Sequence, residues 1–248
     1  MNVEPDGLAP AAADSELSII ETVRKRQMQD RQRVWHPDKV RPSSDLLVAC
    51  DSRHARIEAI RALRTKLLLA RDRSTQSGTI TVLSACSAEG RSQLCAELAI
   101  SFAQLGRQTL LVDADLRSPR QHLLFGAHNQ WGLAQTLCQG EPPRVYGVQG
   151  IPHLALLTSG AATMNPLELL SGDRFEHLIG AWQHEYEFVV IDTPPVTQYA
   201  DGLAIASVAR RVLIVCRSPV TSFKDVKEMT RHLAAAPTQV IGAVINQF

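Results

Sequence analysis

The chain has 248 residues, of which 45% are apolar, 21% charged and 5% aromatic, a composition typical of one large globular domain or two small ones. This composition excludes a wholly disordered chain, a collagen and a disulfide-dense scaffold. Lys and Arg number 26 against 25 Asp and Glu, and the net charge of +1 gives no global basis for binding nucleic acid.

Neither a membrane span nor a secretion signal is predicted. The longest apolar runs, such as Val212–Cys216 and Phe188–Ile191, are far shorter than the roughly 18 residues that a transmembrane helix needs. Met1–Ala13 contains acidic residues and no basic segment, unlike a cleaved signal. We therefore expect a cytoplasmic protein. Its five cysteines form no CxxC pair and are predicted to be reduced packing residues.

Residues 1–45 show little apolar periodicity and are predicted to form a flexible or loosely docked arm. A domain over residues 46–248 follows. The arm carries basic residues, namely Arg24-Lys25-Arg26, Arg31, Arg33, Lys39 and Arg41. They form either a solvated helix face or a docking segment for an anionic membrane surface or a membrane partner. The sequence does not separate these two alternatives.

A long amphipathic helix is predicted over about residues 54–71, at the start of the domain. Its apolar positions have helical spacing: Ile57, Ile60, Leu63, Leu67 and Leu68. Glu58, Arg61 and Arg64 are spaced three apart and share a face. They either form a solvated pair within the helix or contact the carboxylates of a neighbouring subunit through the donor fork of Arg.

After this helix, short apolar runs alternate with longer segments of helical spacing. The predicted strands are Thr79–Ser84, Thr109–Val112, Leu154–Leu157, Phe188–Ile191, Arg211–Cys216 and Val240–Ile245, and the predicted helices are Arg91–Leu105, Arg174–Tyr186, Gly202–Ala209 and Phe223–Ala235. Continuous apolar strands that alternate with helices indicate an α/β fold, a doubly wound, mostly parallel sheet with helices on both faces. Ligands of such folds bind at the carboxyl ends of the strands.

The loop between the first of these strands and its helix has the position of a phosphate-binding loop. Gly90 and Ser92 fit the usual pattern, whereas Ala85 replaces its first glycine and Arg91 replaces its lysine. The loop is either a phosphate cradle or a plain strand-to-helix turn. The residues predicted to contact nucleotide here are Ser87, Ala88, Glu89, Gly90, Arg91, Ser92 and Gln93.

Carboxylates follow two of the predicted strands. Asp113 and Asp115 come after one strand, and Asp192 ends another. Oxygen ligands suit a magnesium ion that bridges phosphates, and we predict that Ser92, Asp113 and Asp192 form its site. Each carboxylate alone could instead cap a helix or a turn. Asn246, after the last strand, is predicted to read an adenine edge, although it could equally be an ordinary loop asparagine.

These motifs resemble those of the bacterial tyrosine kinase family, P-loop ATPases that control chain length in capsule and exopolysaccharide export. The resemblance covers about residues 45–248. It rests on motifs similar to the Walker A, second Walker and Walker B motifs and to the ExxRxxR and NPxELL segments: Arg91-Ser92, residues 112–117, residues 191–195, residues 58–64 and residues 165–170. Other stretches, such as Leu124-Phe125-Gly126 and residues 242–248, look most like the exosortase-associated branch.

The resemblance implies a protein tyrosine kinase that uses ATP and Mg²⁺. In this role Asp113 or Asp115 would orient the acceptor hydroxyl or accept its proton, Asp192 would hold the water shell of the metal, and Arg91 would neutralise developing charge. It also implies a homo-oligomeric ring through Glu58, Arg61 and Arg64, and a transmembrane polysaccharide co-polymerase as partner. The protein would then lie at the inner membrane, attached through that partner.

The tyrosines leave the activity open. Kinases of this family usually end in a tyrosine cluster, whereas Tyr146, Tyr186 and Tyr199 all lie within the predicted domain. Three functions therefore remain: an active kinase, a nucleotide-gated regulatory subunit that transfers no phosphate, and a partitioning ATPase. The last needs a lysine early in the loop, where this chain has Cys86. Ala88 also replaces a loop glycine at a turn that favours positive φ.

Overall fold

A computed structural model of the protein describes residues 34–49, 54–70 and 78–247. Most of the predicted arm, including Arg24-Lys25-Arg26, Arg31 and Arg33, lies outside these residues, as does Cys50. Residues 34–41, at the end of the predicted arm, run along one edge of a sheet. Val40 is buried there and pairs with Val148.

The described residues contain one eight-stranded sheet. Its strands are β1 (Val34–Trp35), β2 (Gly78–Ser84), β3 (Thr109–Asp113), β4 (Arg144–Val148), β5 (Ile151–Leu157), β6 (Phe188–Asp192), β7 (Arg211–Arg217) and β8 (Gln239–Asn246). They lie in the order β1-β4-β5-β3-β6-β2-β7-β8. All neighbours are parallel except β4 and β5. The doubly wound, mostly parallel α/β fold predicted from the sequence is confirmed.

Helices cover both faces of the sheet. They are α1 (Ala55–Leu69), α2 (Arg91–Ala103), α3 (Gln121–Leu124), α4 (Leu133–Gln139), α5 (Pro166–Leu170), α6 (Asp173–Glu185), α7 (Asp201–Ala209) and α8 (Phe223–Ala234). Alternate strand residues supply the two cores, because successive side chains point to opposite faces. Leu111 packs with α1 and α2, whereas Leu110 and Val112 pack with α4, α6 and α7.

Two short strands, β1 and β4, are not predicted from the sequence, and their own sequences explain why. β1 has only two residues, too few for any periodicity. β4 contains Gly147 and pairs antiparallel with β5, with an irregular register at Gly147 and Val148. By contrast, each strand and each long helix predicted after residue 78 is present, with ends shifted by a few residues at most.

Among the residues that the structure describes, no helix combines the length and the apolar character needed to span a bilayer. The four described cysteines are free thiols, and only Cys95 is fully buried. The cysteines are therefore not all packing residues, since Cys138 is exposed.

The topology brings the chemical groups together at one edge of the sheet. β2, β6 and β3 are adjacent and parallel, so their carboxyl ends meet. Asp113 and Asp192 are direct neighbours in the register of β3 and β6. The loop that follows Ser84 lies at the same edge.

Candidate nucleotide site

The loop between β2 and α2 ends in a glycine that no other residue could replace without strain. Gly90 has φ +83° and caps the amino end of the helix Arg91–Ala103. A Cβ at this position would overlap the side-chain amide nitrogen of Asn246. The free amides at the amino end of a helix attract anions. The absence of a side chain at Gly90 leaves room for Asn246 to pack against this turn.

Ala88 adopts the left-handed conformation that the sequence predicts for this loop position. Its φ is +60°, although alanine carries a Cβ. Other parts of the chain hold the loop in this shape. Arg217 donates a hydrogen bond to the Ala88 carbonyl (2.9 Å), and Asn246 donates one to the Glu89 carbonyl (3.1 Å). The Glu89 carboxylate is buried and accepts hydrogen bonds from the Cys86 amide and the Thr221 hydroxyl.

We expect Ala88→Gly to raise the free energy of unfolding by about 0.5–1 kcal/mol, because glycine adopts positive φ without steric cost. Chemical denaturation measures the change. The matched control is Ala62→Gly on the exposed side of α1, where the same exchange should lower the free energy of unfolding by about 1 kcal/mol. Equal losses in both variants would contradict a strained loop.

Arg91 connects the loop to the carboxylates of the neighbouring strands. Its Nε donates to Asp192 Oδ1 (3.0 Å), its Nη2 to Asp115 Oδ2 (3.0 Å) and its Nη1 to Ser84 Oγ (2.6 Å). The side chain is only 8% exposed. The guanidinium is thus held by two carboxylates and a hydroxyl of the protein. The sequence pattern predicts that this charge contacts phosphates, whereas in the structure the Arg91 donors are occupied by protein groups.

Asp113 lies beneath the cleft and is fully buried. Its Oδ2 accepts the amides of Arg120 and Gln121, and its Oδ1 accepts the amide of Asp115. Burial, reinforced by the nearby charge of Asp192, raises the pKa of Asp113 well above its usual range. The position favours a structural role over direct contact with an acceptor hydroxyl.

The raised pKa of Asp113 gives a pH-dependent prediction. Because the folded state binds this proton more tightly than the unfolded state, the Asp113 carboxyl loses stabilising effect as the pH rises above its usual pKa of about 3.9. The neutral variant Asp113→Asn has no such loss. We therefore expect the free energy of unfolding of the variant, relative to the wild type, to increase between about pH 4 and pH 7. A difference that stays constant with pH would contradict the raised pKa.

Asp115 is the carboxylate that reaches the cleft. It lines a cavity of about 340 Å³ together with residues 87–93 of the loop. Its Oδ1 accepts the amides of Arg117 and Ser118. Burial raises the pKa of Asp115, an effect opposed by these amides and by Arg91. An aspartate with a raised pKa is a stronger base than an ordinary one.

The other predicted ligands divide into two groups. Ser92 lines the cleft, and its carbonyl accepts a hydrogen bond from Gln121 Nε2 (2.9 Å). The same nitrogen donates to Asp192 Oδ2 (2.8 Å). Gln93, in contrast, directs its amide nitrogen to the carbonyl of Asp45, and the Asn246 amide nitrogen contacts the loop backbone. The structure therefore does not present the Gln93 amide nitrogen to phosphates, and it places the amide of Asn246 against the loop.

The predicted oligomerisation residues do not behave alike. Arg61 and Glu58 form an exposed pair at 2.6 Å within α1, the local interaction that the spacing indicates. Arg64 instead donates to the carbonyl and the hydroxyl of Ser101 in α2. Its position is half-buried because α1 packs against α2 through Ile57 and Ile60. The three residues thus do not form one solvent-facing set.

A second ion pair at the rim of the cleft was not singled out from the sequence. Arg117 donates two hydrogen bonds to Asp201 at 3.2 Å, and its guanidinium lies 4.7 Å from the ring centroid of Tyr199. Arg117 belongs to the motif that follows β3, and this was the only available signal. Nothing in the sequence pairs it with a residue 84 positions later.

Comparisons with known proteins agree with this geometry. A family model described as NUBPL iron-transfer P-loop NTPase (ParA) matches residues 76–247. Tyrosine-protein kinase YwqD of Bacillus subtilis is 36% identical over 191 residues, which cover 76% of this chain and 80% of that protein. The chain belongs to the bacterial tyrosine kinase family. The family resemblance seen in the sequence is thereby confirmed.

The chain is also similar to part of a larger kinase and to domains of known structure. Tyrosine-protein kinase wzc of Salmonella typhi is 32% identical over 204 residues, which cover 82% of this chain but only 28% of that kinase. The kinase domain of the Escherichia coli tyrosine kinase ETK superposes with a TM-score of 0.77 at 28% identity, over 85% of this chain and 82% of that domain. The cell division ATPase MinD of Pyrococcus furiosus shares the fold. It superposes with a TM-score of 0.59 at 21% identity, over 68% of this chain and 72% of that one.

Proposed function

We propose that this bacterial tyrosine kinase family member binds ATP with Mg²⁺ in the cleft and transfers its γ-phosphoryl group to a tyrosine hydroxyl. The observation that carries the proposal is the shared lining of one cavity of about 340 Å³ by the loop residues 87–93 and by Asp115. The loop supplies backbone amides for phosphates, and Asp115 supplies a base.

The residues at the cleft fit a magnesium ion held through phosphates rather than by protein ligands alone. In the described ranges, no group of three or more His, Cys, Asp or Glu side chains is placed to hold a metal. However, Gln121 Oε1 is buried without a hydrogen-bond partner, while the Nε2 of the same side chain contacts Asp192 and the Ser92 carbonyl. An unpaired acceptor at this place suits the water shell of a cation. Ser92 would ligate the metal, and Asp192 would orient its waters.

Under this proposal, two sets of anionic groups compete for the positive charge of Arg91. It neutralises Asp115 and Asp192, and the Walker pattern also assigns it to the β- and γ-phosphates. It can leave the carboxylates only when other positive charge replaces it there, because an unpaired buried carboxylate is costly. Magnesium bound with ATP supplies such charge. We therefore expect the affinity for ATP to depend strongly on magnesium.

The setting that we propose is exopolysaccharide or capsule biosynthesis. The support comes from the family and from the motifs similar to those of chain-length regulators. In that setting the chain would assemble as a homo-oligomeric ring, with the exposed Glu58 and Arg61 at the subunit contact and Arg64 fixing α1 on α2. It would work at the cytoplasmic side of the inner membrane, bound to a transmembrane polysaccharide co-polymerase.

A second candidate function is a nucleotide-gated regulatory subunit of the same machinery that transfers no phosphate. One observation favours it: the donors of Arg91 are engaged with Asp115, Asp192 and Ser84 and are therefore not free for phosphates. Such a protein would bind Mg·ATP and change its assembly without phosphotransfer.

A transfer assay separates the two functions. The full chain is incubated with magnesium and γ-labelled ATP in the presence of a synthetic Glu- and Tyr-containing copolymer. The proposal predicts label on tyrosine, lost in Asp192→Asn. Binding of ATP without any labelled tyrosine would instead support the regulatory function, and absence of ATP binding would refute both.

A further inference from the structure

Three arginines of the described chain line the cleft, and two of them already have anionic partners in the protein. Arg91 donates to the carboxylates of Asp115 and Asp192. Arg117 donates from its Nε and its Nη2 to Asp201, each at 3.2 Å. The positive charges of these two side chains are therefore balanced by carboxylates of the protein before a nucleotide binds.

Arg120 differs from both. Its side chain is exposed, and its guanidinium has neither a carboxylate nor a hydrogen-bond partner among the residues that the structure describes. Its backbone is nevertheless fixed, because its amide donates to Asp113 Oδ2 (3.1 Å). The next residue, Gln121, donates to Asp192 and to the Ser92 carbonyl. Residue 120 is thus anchored beside the loop and the strand ends, while its positive charge is not balanced by a bonded carboxylate.

A bound nucleotide needs positive charge at its last phosphate. Phosphoryl transfer spreads negative charge over the oxygens of the γ-phosphoryl group, and the lysine of the usual loop helps to neutralise it. In this chain the corresponding residue is Arg91, whose donors are occupied by protein groups. A free guanidinium can donate two parallel N–H groups to a phosphate, a pairing stronger than a neutral hydrogen bond. Arg120 is the arginine of the cleft that has such donors available.

We infer that Arg120 contacts the γ-phosphate of ATP and takes over the charge neutralisation that the loop lysine usually provides, so that Arg91 stays with its carboxylates. The inference rests on the proposed function, since it needs ATP in this cleft. In the transfer step, the acceptor oxygen forms a bond to the γ-phosphorus while the bond to the β–γ bridging oxygen breaks, and ADP leaves with the electron pair. The acceptor proton passes to Asp115. Arg120 keeps all its protons and donates hydrogen bonds to the γ-phosphoryl oxygens.

The inference predicts selectivity between two nucleotides, because ADP lacks the phosphate that Arg120 would contact. The experiment is calorimetric titration of the full chain with ATP and, separately, with ADP, both in the presence of magnesium. In Arg120→Gln we expect the dissociation constant for ATP to rise about 10- to 100-fold, as for the loss of a hydrogen bond between charged groups. The dissociation constant for ADP should stay unchanged. Arg120→Lys keeps the charge and should recover part of the affinity for ATP.

The matched control is Arg210→Gln, the same exchange at another exposed arginine. Arg210 directly precedes β7 and so lies at the opposite edge of the parallel strands from the cleft. This variant should bind ATP and ADP as the wild type does.

The two titrations separate failure of this inference from failure of the proposed function. If Arg120→Gln weakens the binding of ATP and ADP equally, or of neither, the contact with the γ-phosphate is overturned, whereas the wild-type protein still binds nucleotide. A raised KM for the Glu- and Tyr-containing copolymer at unchanged affinity for ATP would assign Arg120 to the acceptor, and this result also overturns the inference. A wild-type protein that binds neither nucleotide refutes the proposed function and the inference together.

Discussion

Replacing Asp115 by Asn is expected to slow phosphoryl transfer by about 100- to 10,000-fold, the usual contribution of a positioned general base. The reason is that Asp115 is the cleft-lining carboxylate, and burial raises its pKa and hence its basicity. Initial rates with labelled ATP and the Glu- and Tyr-containing copolymer measure the effect. ATP affinity should fall far less than the rate.

Asp173→Asn is the matched control for this loss. Asp173 begins α6 on the exposed surface and lies away from the residues that line the cleft. Its transfer rate should equal that of the wild type. Undiminished transfer by Asp115→Asn would remove the residue from the reaction and direct attention back to Asp113.

Replacing Arg91 by Ala is expected to lower the free energy of unfolding by about 3–5 kcal/mol at neutral pH, because two buried carboxylates lose their partner. Asp115 and Asp192 each have a hydrogen bond of 3.0 Å to Arg91. The loss should shrink as the pH falls, since Asp115, whose pKa burial raises, becomes protonated and its unpaired charge is removed. Urea denaturation at neutral and acidic pH measures both effects.

The control for Arg91 is Arg107→Ala. Arg107 pairs with Glu187 at 3.0 Å, the same distance, but its side chain is 48% exposed. An exposed ion pair contributes about 0–1 kcal/mol, so this variant should remain close to the wild type. The conservative variant Arg91→Lys keeps the positive charge but has fewer donors. Its free energy of unfolding should lie between those of Arg91→Ala and Arg107→Ala. Similar stability of Arg91→Ala and Arg107→Ala would show that Arg91 does not stabilise the buried carboxylates of Asp115 and Asp192.

The sheet was predictable because its strands are nearly uninterrupted apolar runs, such as Leu110 to Val112, separated by segments of helical spacing. The parts that were not predicted depend on partners distant in sequence. β1 and β4 are short strands, and their place is fixed by pairing with each other and, for β4, with β5. The local sequence around Val34 or Gly147 does not predict that pairing.

The site was predictable to the same extent and for the same reason. Parallel strands place their carboxyl ends at one edge, so Ser92, Asp115 and Asp192 were expected to converge there. The direction of each side chain was not predictable. Arg91 binds the carboxylates of Asp115 and Asp192, and Gln93 donates to the Asp45 carbonyl. These contacts could not be predicted, because the partners are distant in the sequence.

Calorimetric titration of the full chain with ATP, in the presence and absence of magnesium, tests the central claim most directly. We expect micromolar binding that weakens strongly without magnesium, and loss of this magnesium dependence in Ser92→Ala, which removes only the hydroxyl that we propose as a metal ligand. Equal affinity with and without magnesium, or no binding in either condition, would contradict a functional nucleotide site in this cleft.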